Sequence, residues 1–198
     1  MSKADFGKDD WQLLQRETLF QRFFRVDLLT LRHRLYEGGW SEPVERELLM
    51  RRPAVAVLPY DSVNGLIALV EQFRVGATQD RASPWCLELI AGIADVDGES
   101  LDSLARREAR EEADLALGTL EAITSYLPSP GGCDERLHLF ASDCDLSQAG
   151  GIHGKPEEGE NIRVSTFSID TIPELLSSGR VDNAATLIAL QWLLLKRS

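Results

Sequence analysis

Three glutamates close together in a predicted helix are the residues of this chain best suited to metal chemistry. They are Glu108, Glu111 and Glu112, and they follow a Gly-started acidic turn. One face of the helix begins apolar and becomes acidic along its length, at Leu101, Leu104, Ala105, Glu108 and Glu112. Glu108 and Glu112 are expected about 6 Å apart, where two charges repel by about 3 kcal/mol at an effective dielectric of about 20. A divalent cation would reverse that repulsion, since hard cations such as Mg²⁺ prefer oxygen ligands.

A solvated acidic helix is the other interpretation of these residues. Arg106, Arg107 and Arg110 are available for surface ion pairs, for example between Arg107 and Glu111 at the i,i+4 spacing. Such a pair contributes only tenths of a kilocalorie per mole. Charge alone therefore leaves both interpretations open.

Composition bounds the class of protein. The chain has 198 residues, 43% of them hydrophobic and 27% charged, which is typical of one sizeable globular domain or a domain with an appended arm. Its net charge of −11 argues against a nucleic-acid or anionic-membrane partner, because phosphate backbones need clustered Lys and Arg. No apolar run reaches transmembrane length, and the charged N-terminus is unlike a signal peptide. Three scattered cysteines without metal-ligand spacing predict reduced thiols and a cytoplasmic location.

The order of elements predicts an α/β fold. Strands are expected at 23–31 and 44–51, and these two must pack on the main domain or on another copy of the chain. From Ala54 a hairpin, a strand over 85–92, the glutamate helix near 100–113, three more strands and a C-terminal pair of helices follow. Such interleaving indicates a mixed sheet with flanking helices. A polar, Gly-rich loop is expected at 145–160.

The order of residues around the glutamates resembles the box of the Nudix hydrolases. That pattern is a Gly, five residues, Glu, seven residues, then Arg-Glu-aliphatic-any-Glu-Glu-any-Gly-aliphatic. Here Glu99 is followed by seven residues and then Arg107-Glu108-Ala109-Arg110-Glu111-Glu112. The chain departs at both ends, because six residues separate Gly92 from Glu99 and Asp114 replaces the last Gly.

Segments outside the box resemble the ADP-ribose pyrophosphatase branch of this family over nearly the whole chain. They are RETLF at 16–20, RHRLYEGG at 32–39, EQFRVGA at 71–77, LELIAG at 87–92, LPSPGG at 127–132, GIHGKPEEGENIRV at 151–164 and DNAATLIALQWL at 182–193. The resemblance implies a Nudix α/β/α sandwich at 53–198. It also implies a small N-terminal β-sheet region at 1–52, domain-swapped in a homodimer, and an active site built from both chains.

The resemblance also assigns the site. Glu108, Glu111 and Glu112, the carbonyl of Ala91 and the loop residue Glu160 match metal ligands, and the ion implied is Mg²⁺ or, as a substitute, Mn²⁺. Glu158, Glu160 and Glu111 are the catalytic candidates. Glu158 is the preferred candidate for the general base, and Glu160 for a metal ligand. Without the family resemblance, the same loop would be interpreted as a solvated acidic segment.

Substrate contacts are implied at three further positions. Arg46 and Arg74 match arginines that contact the diphosphate-ribose portion, and Phe23 matches an aromatic residue that stacks on adenine. Otherwise the arginines would form surface salt bridges and Phe23 would belong to a core.

Three functions remain in view. The first is Mg²⁺-dependent hydrolysis of the pyrophosphate bond of ADP-ribose to AMP and ribose 5-phosphate. The second is hydrolysis of GDP-mannose or another nucleotide sugar by the same box. The third is an inactive Nudix-fold module that binds nucleotide, which the longer turn and Asp114 would favour and the retained glutamates oppose.

Overall fold

The chain divides into two units in the computed structural model, which describes residues 5–79 and 83–197. One unit comprises the residues up to Arg52 together with Leu127–Glu135. The other comprises Pro53–Tyr126 and the described residues from Arg136 onward.

The first unit is a three-stranded antiparallel sheet. Its strands β1 (Trp11–Gln21), β2 (Arg25–His33) and β3 (Val44–Met50) lie in that order. The sequence predicts β2 and β3, although Phe23 lies in the bend before β2 rather than in the strand. The sequence does not predict β1. The LPSPGG turn at 127–132 belongs to this unit as well. The N–H of Leu49 donates a 2.8 Å hydrogen bond to the carbonyl of Gly132 in that turn.

This sheet has almost no core of its own. Among its described residues, Leu29 is the single buried hydrophobic side chain, and every residue of β1 is exposed. The buried carboxylate of Asp27 accepts hydrogen bonds from Thr18 Oγ1 at 2.9 Å and from Arg25 at 2.8 Å, and these bonds lower the pKa of Asp27. Polar contacts such as these, rather than a hydrophobic core of its own, therefore stabilise this sheet.

The second unit is built on an eight-stranded mixed sheet. The strands are β4 (Ala54–Asp61), β5 (Leu66–Phe73), β6 (Trp85–Glu88), β7 (Ile90–Ile93), β8 (Leu120–Tyr126), β9 (Leu137–Asp143), β10 (Gly151–His153) and β11 (Ile162–Ser168). Their order is β10-β11-β5-β4-β9-β8, with β6 paired to β5 and β7 to β4. The β4–β9 pair is parallel, and the other pairs are antiparallel.

The strand predicted over 85–92 is divided at Leu89. The N–H of Leu89 donates 3.1 Å to Oγ1 of the buried Thr186, instead of to a neighbouring strand. The chain thereby leaves β5, its partner before this point, and pairs with β4 after it.

Helices cover both faces of this sheet, as the sequence predicts. On one face, α1 (Leu101–Ala113) packs through Ala109 and Ala113 against Val57 and Val70. On the other, α2 (Ile172–Ser177) and α3 (Ala184–Arg197) pack against alternate residues of the same strands. The predicted α/β/α sandwich is confirmed. No helix of the described residues is long and apolar enough to cross a bilayer.

Candidate active site

The glutamate helix begins and ends where its local sequence directs. The hydroxyl of Ser100 caps the N-terminus by accepting the Ser103 N–H at 3.1 Å, and Leu104 and Ala105 turn inward to anchor the first turns. The helix ends at Asp114, which adopts the left-handed conformation at φ 50° and donates its N–H to the carbonyls of Ala109 and Arg110. Asp114 therefore forms the turn that a Gly would form at less cost.

Glu112 lies at the buried end of the acidic stripe. It is 4% exposed, and its Oε2 accepts the backbone N–H of Ala91, on β7, at 3.1 Å. Burial raises the pKa of Glu112 to about 8, and the charges of Glu108 and Glu160 act in the same direction. Without a compensating cation this carboxyl group is therefore mostly protonated at neutral pH.

Glu108 lies one turn before Glu112 and passes close to the acidic turn. Burial raises the pKa of Glu108 to about 7, against the opposing charge of Arg107, whose Nη1 is 2.9 Å from Oε1. A Cβ added to Gly92 would lie 2.1 Å from that Oε1. The box Gly therefore leaves the space that the Glu108 side chain fills.

Arg107 ties the acidic turn to the helix. Its Nε and Nη2 donate to the two carboxylate oxygens of Glu99 at 3.0 and 3.1 Å, and its Nη1 donates to Glu111 at 3.2 Å. This two-pronged geometry fixes the guanidinium plane. Arg107 thus orients the neighbouring glutamates. The acidic turn, although one residue longer than in the box pattern, still brings Glu99 into contact with Arg107.

The Gly-rich loop brings two more glutamates to α1. After β10 it forms a short 3₁₀ turn at Pro156–Glu158. Glu160 accepts the Lys155 N–H at 3.0 Å, and its charge raises the pKa of both Glu108 and Glu112. The Glu158 side chain is 56% exposed and lies 3.2 Å from Lys155 Nζ.

The three residues predicted to bind substrate lie in different places. Arg74, at the end of β5, donates from Nε to Glu88 at 2.7 Å, and its charge lowers the pKa of Glu112. Phe23 and Arg46 belong to the three-stranded unit. There Phe23 is 83% exposed and stacks edge-on against Phe24, and Arg46 donates to the carbonyl of Glu45 at 2.7 Å.

The donor set suits a hard divalent cation. Among residues 5–79 and 83–197, no three Asp, Glu, His or Cys side chains form a ready-made cage. The chemistry of the side chains nevertheless fits, because the partly buried Glu108 and the buried Glu112 share one helix face and have raised pKa values that a cation would lower. The absence of a side chain at Gly92 also leaves room for the Glu108 carboxylate, as a metal site here would require.

Lys155 is the residue at this site that the sequence does not predict. Its Nζ lies 2.9 Å from Glu111 and 3.2 Å from Glu158, so it joins the loop to α1. The three-residue spacing from Lys155 to Glu158 was a local signal for one of these contacts. Nothing local indicates the other, because Glu111 is distant in sequence.

Known proteins resemble this chain over most of its length. A family model for the NUDIX domain matches residues 50–189. ADP-ribose pyrophosphatase of Escherichia coli (strain K12) is 43% identical over 188 residues, covering 95% of this chain and 90% of that protein. The Haemophilus influenzae ADP-ribose pyrophosphatase is 41% identical over 191 residues, which cover 95% of this chain and 88% of the relative.

Two further matches are more distant. GDP-mannose pyrophosphatase of Pectobacterium atrosepticum is 31% identical over 180 residues, covering 90% of this chain and 91% of that protein. A crystal structure of an ADP compounds hydrolase superimposes with a TM-score of 0.71 at 20% identity, over 99% of this chain and 98% of the other. The structural match supports the fold.

Proposed function

The chain belongs to the NUDIX family, and from that premise we propose that it is an ADP-ribose pyrophosphatase. It hydrolyses the pyrophosphate bond of ADP-ribose and releases AMP and ribose 5-phosphate. The choice of substrate follows the ADP-ribose pyrophosphatases, which are 41–43% identical to the chain over 95% of its length.

The observation that best supports the reaction is a pair of carboxylates on one face of α1, the partly buried Glu108 and the buried Glu112, with pKa values raised to about 7 and about 8. Removing two neighbouring acids from water disfavours their charged forms unless an opposite charge compensates them. A divalent cation held beside a diphosphate would supply that charge.

Nudix hydrolases use divalent metal ions, and we propose Mg²⁺ here, with Mn²⁺ as a substitute. When bound, the ion neutralises charge on the phosphate oxygens. Glu108 and Glu112 are its proposed ligands, with Glu111, Glu160 and the carbonyl of Ala91 completing the set. Ala91 is suited to this role because its N–H donates to Glu112 and so ties this residue to a proposed ligand.

The loop supplies the proposed general base. Glu158 is exposed enough to meet water, and its carboxylate can accept the proton of the attacking molecule. The water oxygen then bonds to one phosphorus as the bond from that phosphorus to the bridging oxygen breaks. Glu111 and Glu160 are proposed to support this step as metal ligands.

Substrate contacts stay predictions for Phe23, Arg46 and Arg74. Arg74 is best supported, because it is a cation on the same unit as the glutamates and its charge acts on Glu112. Phe23 offers a largely free aromatic face, which a base could stack on.

We also propose that the chain forms a homodimer through its three-stranded unit, as the resemblance implies. The support is the exposed apolar surface of β1, including Trp11, Leu14 and Phe20, each about half exposed. Sedimentation velocity over a range of concentrations is expected to give twice the mass of the chain. A monomer throughout would remove this proposal.

The function is tested by incubating the purified protein with ADP-ribose and Mg²⁺ and identifying the products by chromatography. AMP and ribose 5-phosphate should form with the wild type and be nearly absent with Glu112→Gln. ADP-ribose that binds without being hydrolysed would instead favour an inactive binding module.

GDP-mannose is the second candidate substrate, because a GDP-mannose pyrophosphatase is 31% identical over 90% of the chain. Both substrates are assayed in the same panel at equal concentration. A higher kcat/KM for GDP-mannose would replace ADP-ribose as the assigned substrate and leave the chemistry at Glu108 and Glu112 unchanged.

A further inference from the structure

Lys155 is placed to act on three glutamates at once. Its Nζ lies 2.9 Å from Glu111 on α1 and 3.2 Å from Glu158 on its own loop, and its backbone N–H donates to Glu160 at 3.0 Å. All three acids have proposed roles in metal binding or proton transfer. A single cation therefore connects the metal-binding helix with the loop that carries the base.

The two cations near Glu111 differ in their freedom to move. In the part of the chain that the structure describes, Glu111 has ion pairs with Arg107 and Lys155. Arg107 is fixed by its double contact with Glu99. Lys155 is one-third exposed and carries its charge on a flexible four-carbon stem. Of the two, Lys155 is the cation that can leave.

The loop has a second link to α1 that does not depend on charge. The N–H of Gly154 donates to the carbonyl of Glu111 at 3.4 Å, a long hydrogen bond. Gly154 adopts φ +96°, a conformation that few other residues take readily. Lys155 can thus change partner while its neighbour keeps the loop beside the helix.

We propose that the Lys155 ammonium stands in for the divalent cation in the metal-free protein and competes with it for Glu111. Metal binding then displaces Lys155 from Glu111 and leaves Glu158, on the same loop, as the acidic partner of its side chain. Lys155 is a positioning residue, because it acts through Glu111 and Glu158. The inference rests on the proposed function in one respect: it takes the glutamates of α1 as metal ligands.

The first test measures metal affinity without nucleotide. Mn²⁺ titrations of the full-length protein, followed by electron paramagnetic resonance, give its Kd. Lys155→Met is expected to bind Mn²⁺ about three- to tenfold more tightly than the wild type, since a competing ion pair is removed. Lys155→Arg keeps the charge and is expected to remain close to the wild type.

Lys196→Met is the matched control. It removes the same charge from α3, on the opposite face of the sheet, where Lys196 pairs with Glu121. If Lys155→Met and Lys196→Met bind Mn²⁺ with equal affinity, or if Lys155→Met binds more weakly, Lys155 does not compete with the metal.

The second test uses the wild type alone and so does not depend on how variants fold. Lysines are labelled briefly with an acylating reagent, with and without Mg²⁺, and the labelled peptides are quantified by mass spectrometry. Mg²⁺ should increase the labelling of Lys155 severalfold and leave Lys196 unchanged. Unchanged or reduced labelling of Lys155 would overturn the proposal.

Hydrolysis is assayed separately, so that the two ideas can fail independently. If the wild type hydrolyses ADP-ribose but Mg²⁺ does not change the labelling of Lys155, the proposed function stands and the inference about Lys155 is wrong. If the wild type hydrolyses no nucleotide sugar but the Lys155→Met variant binds Mn²⁺ more tightly than the wild type, the proposed function is wrong and the inference about Lys155 stands.

Discussion

The backbone N–H of Ala91, on β7, donates a 3.1 Å hydrogen bond to Oε2 of Glu112, on α1. This bond crosses from the sheet to the helix and fixes the depth at which the carboxylate lies. It opposes the rise in the pKa of Glu112 but does not cancel it, because burial dominates. Glu112 is therefore held in one place in an environment that disfavours its charge.

Replacing Glu112 with Gln should abolish most of the activity without unfolding the protein. The amide is the same size and keeps an oxygen for the Ala91 N–H, but it lacks the charge that binds the metal. We expect kcat for ADP-ribose to fall by at least about 100-fold, a loss of about 2.7 kcal/mol of transition-state stabilisation. Glu121→Gln, at a half-exposed position on β8, should leave kcat unchanged. A Glu112→Gln enzyme with near wild-type kcat contradicts the assignment.

The metal-free protein should lose stability as the pH rises from about 4.5 to 8. The pKa values of Glu108 and Glu112 are about 7 and about 8 in the folded state and near 4.5 when unfolded. Between these values the unfolded chain releases protons that the folded chain retains, so unfolding is favoured as the pH increases. Stability is highest with respect to these groups below pH 4.5.

The measurement is Tm against pH after treatment with chelator. Glu112→Gln removes one of the two groups and should flatten the decline, whereas Glu121→Gln should follow the wild-type curve. Added Mg²⁺ should raise Tm more at pH 8 than at pH 5. Parallel curves of Tm against pH for the wild type and Glu112→Gln would contradict the prediction.

Gly92→Ala should impair catalysis through the position of Glu108. The new Cβ would lie 2.1 Å from Oε1 and 2.2 Å from Cδ of Glu108, so the carboxylate must shift. Small displacements of catalytic groups are costly, and we expect kcat to fall by about tenfold or more, with a lower Tm. Gly7→Ala is the control, since a Cβ there meets no atom within 4 Å. Unchanged kinetics in Gly92→Ala would show that Glu108 can move freely.

Asp114→Gly should stabilise the protein slightly and leave its activity intact. Asp114 holds φ at 50°, and relief of that conformation is expected to contribute up to about 1 kcal/mol. The change removes an ion pair with Arg110 at 2.8 Å, but both side chains are mostly exposed and the pair contributes little. Urea denaturation gives the free energy of unfolding. Asp114→Val, which tolerates this conformation poorly, should change it in the opposite direction.

The glutamate helix could be predicted because its signals are local. Ser100 caps it, the apolar positions Leu104 and Ala105 face inward, and the acids continue the same face. The box pattern has a Gly at the position of Asp114, where the helix ends in the left-handed conformation. These features depend on residues a few positions apart, which the sequence displays directly.

Strand β1 could not be predicted for a related reason. Every one of its residues is exposed, so no buried face imposes an alternation of apolar and polar residues. The split of the strand at Leu89 was also hidden, because its cause is a hydrogen bond that Leu89 donates to a helix residue nearly a hundred positions later. Lys155 belongs to the same class, since Glu111 meets it only when the sheet has formed.

The parallel pairing of β4 with β9 has a consequence for synthesis on the ribosome. Ala54 pairs with Leu137 and Tyr60 with Asp143, so one edge of β4 has no partner until the chain has grown past β9. Until then Val55, Val57 and Leu58, all fully buried in the finished fold, belong to a strand with an open edge. A nascent chain that stalls before Leu137 therefore carries an apolar strand with an unpaired edge, a condition that favours aggregation.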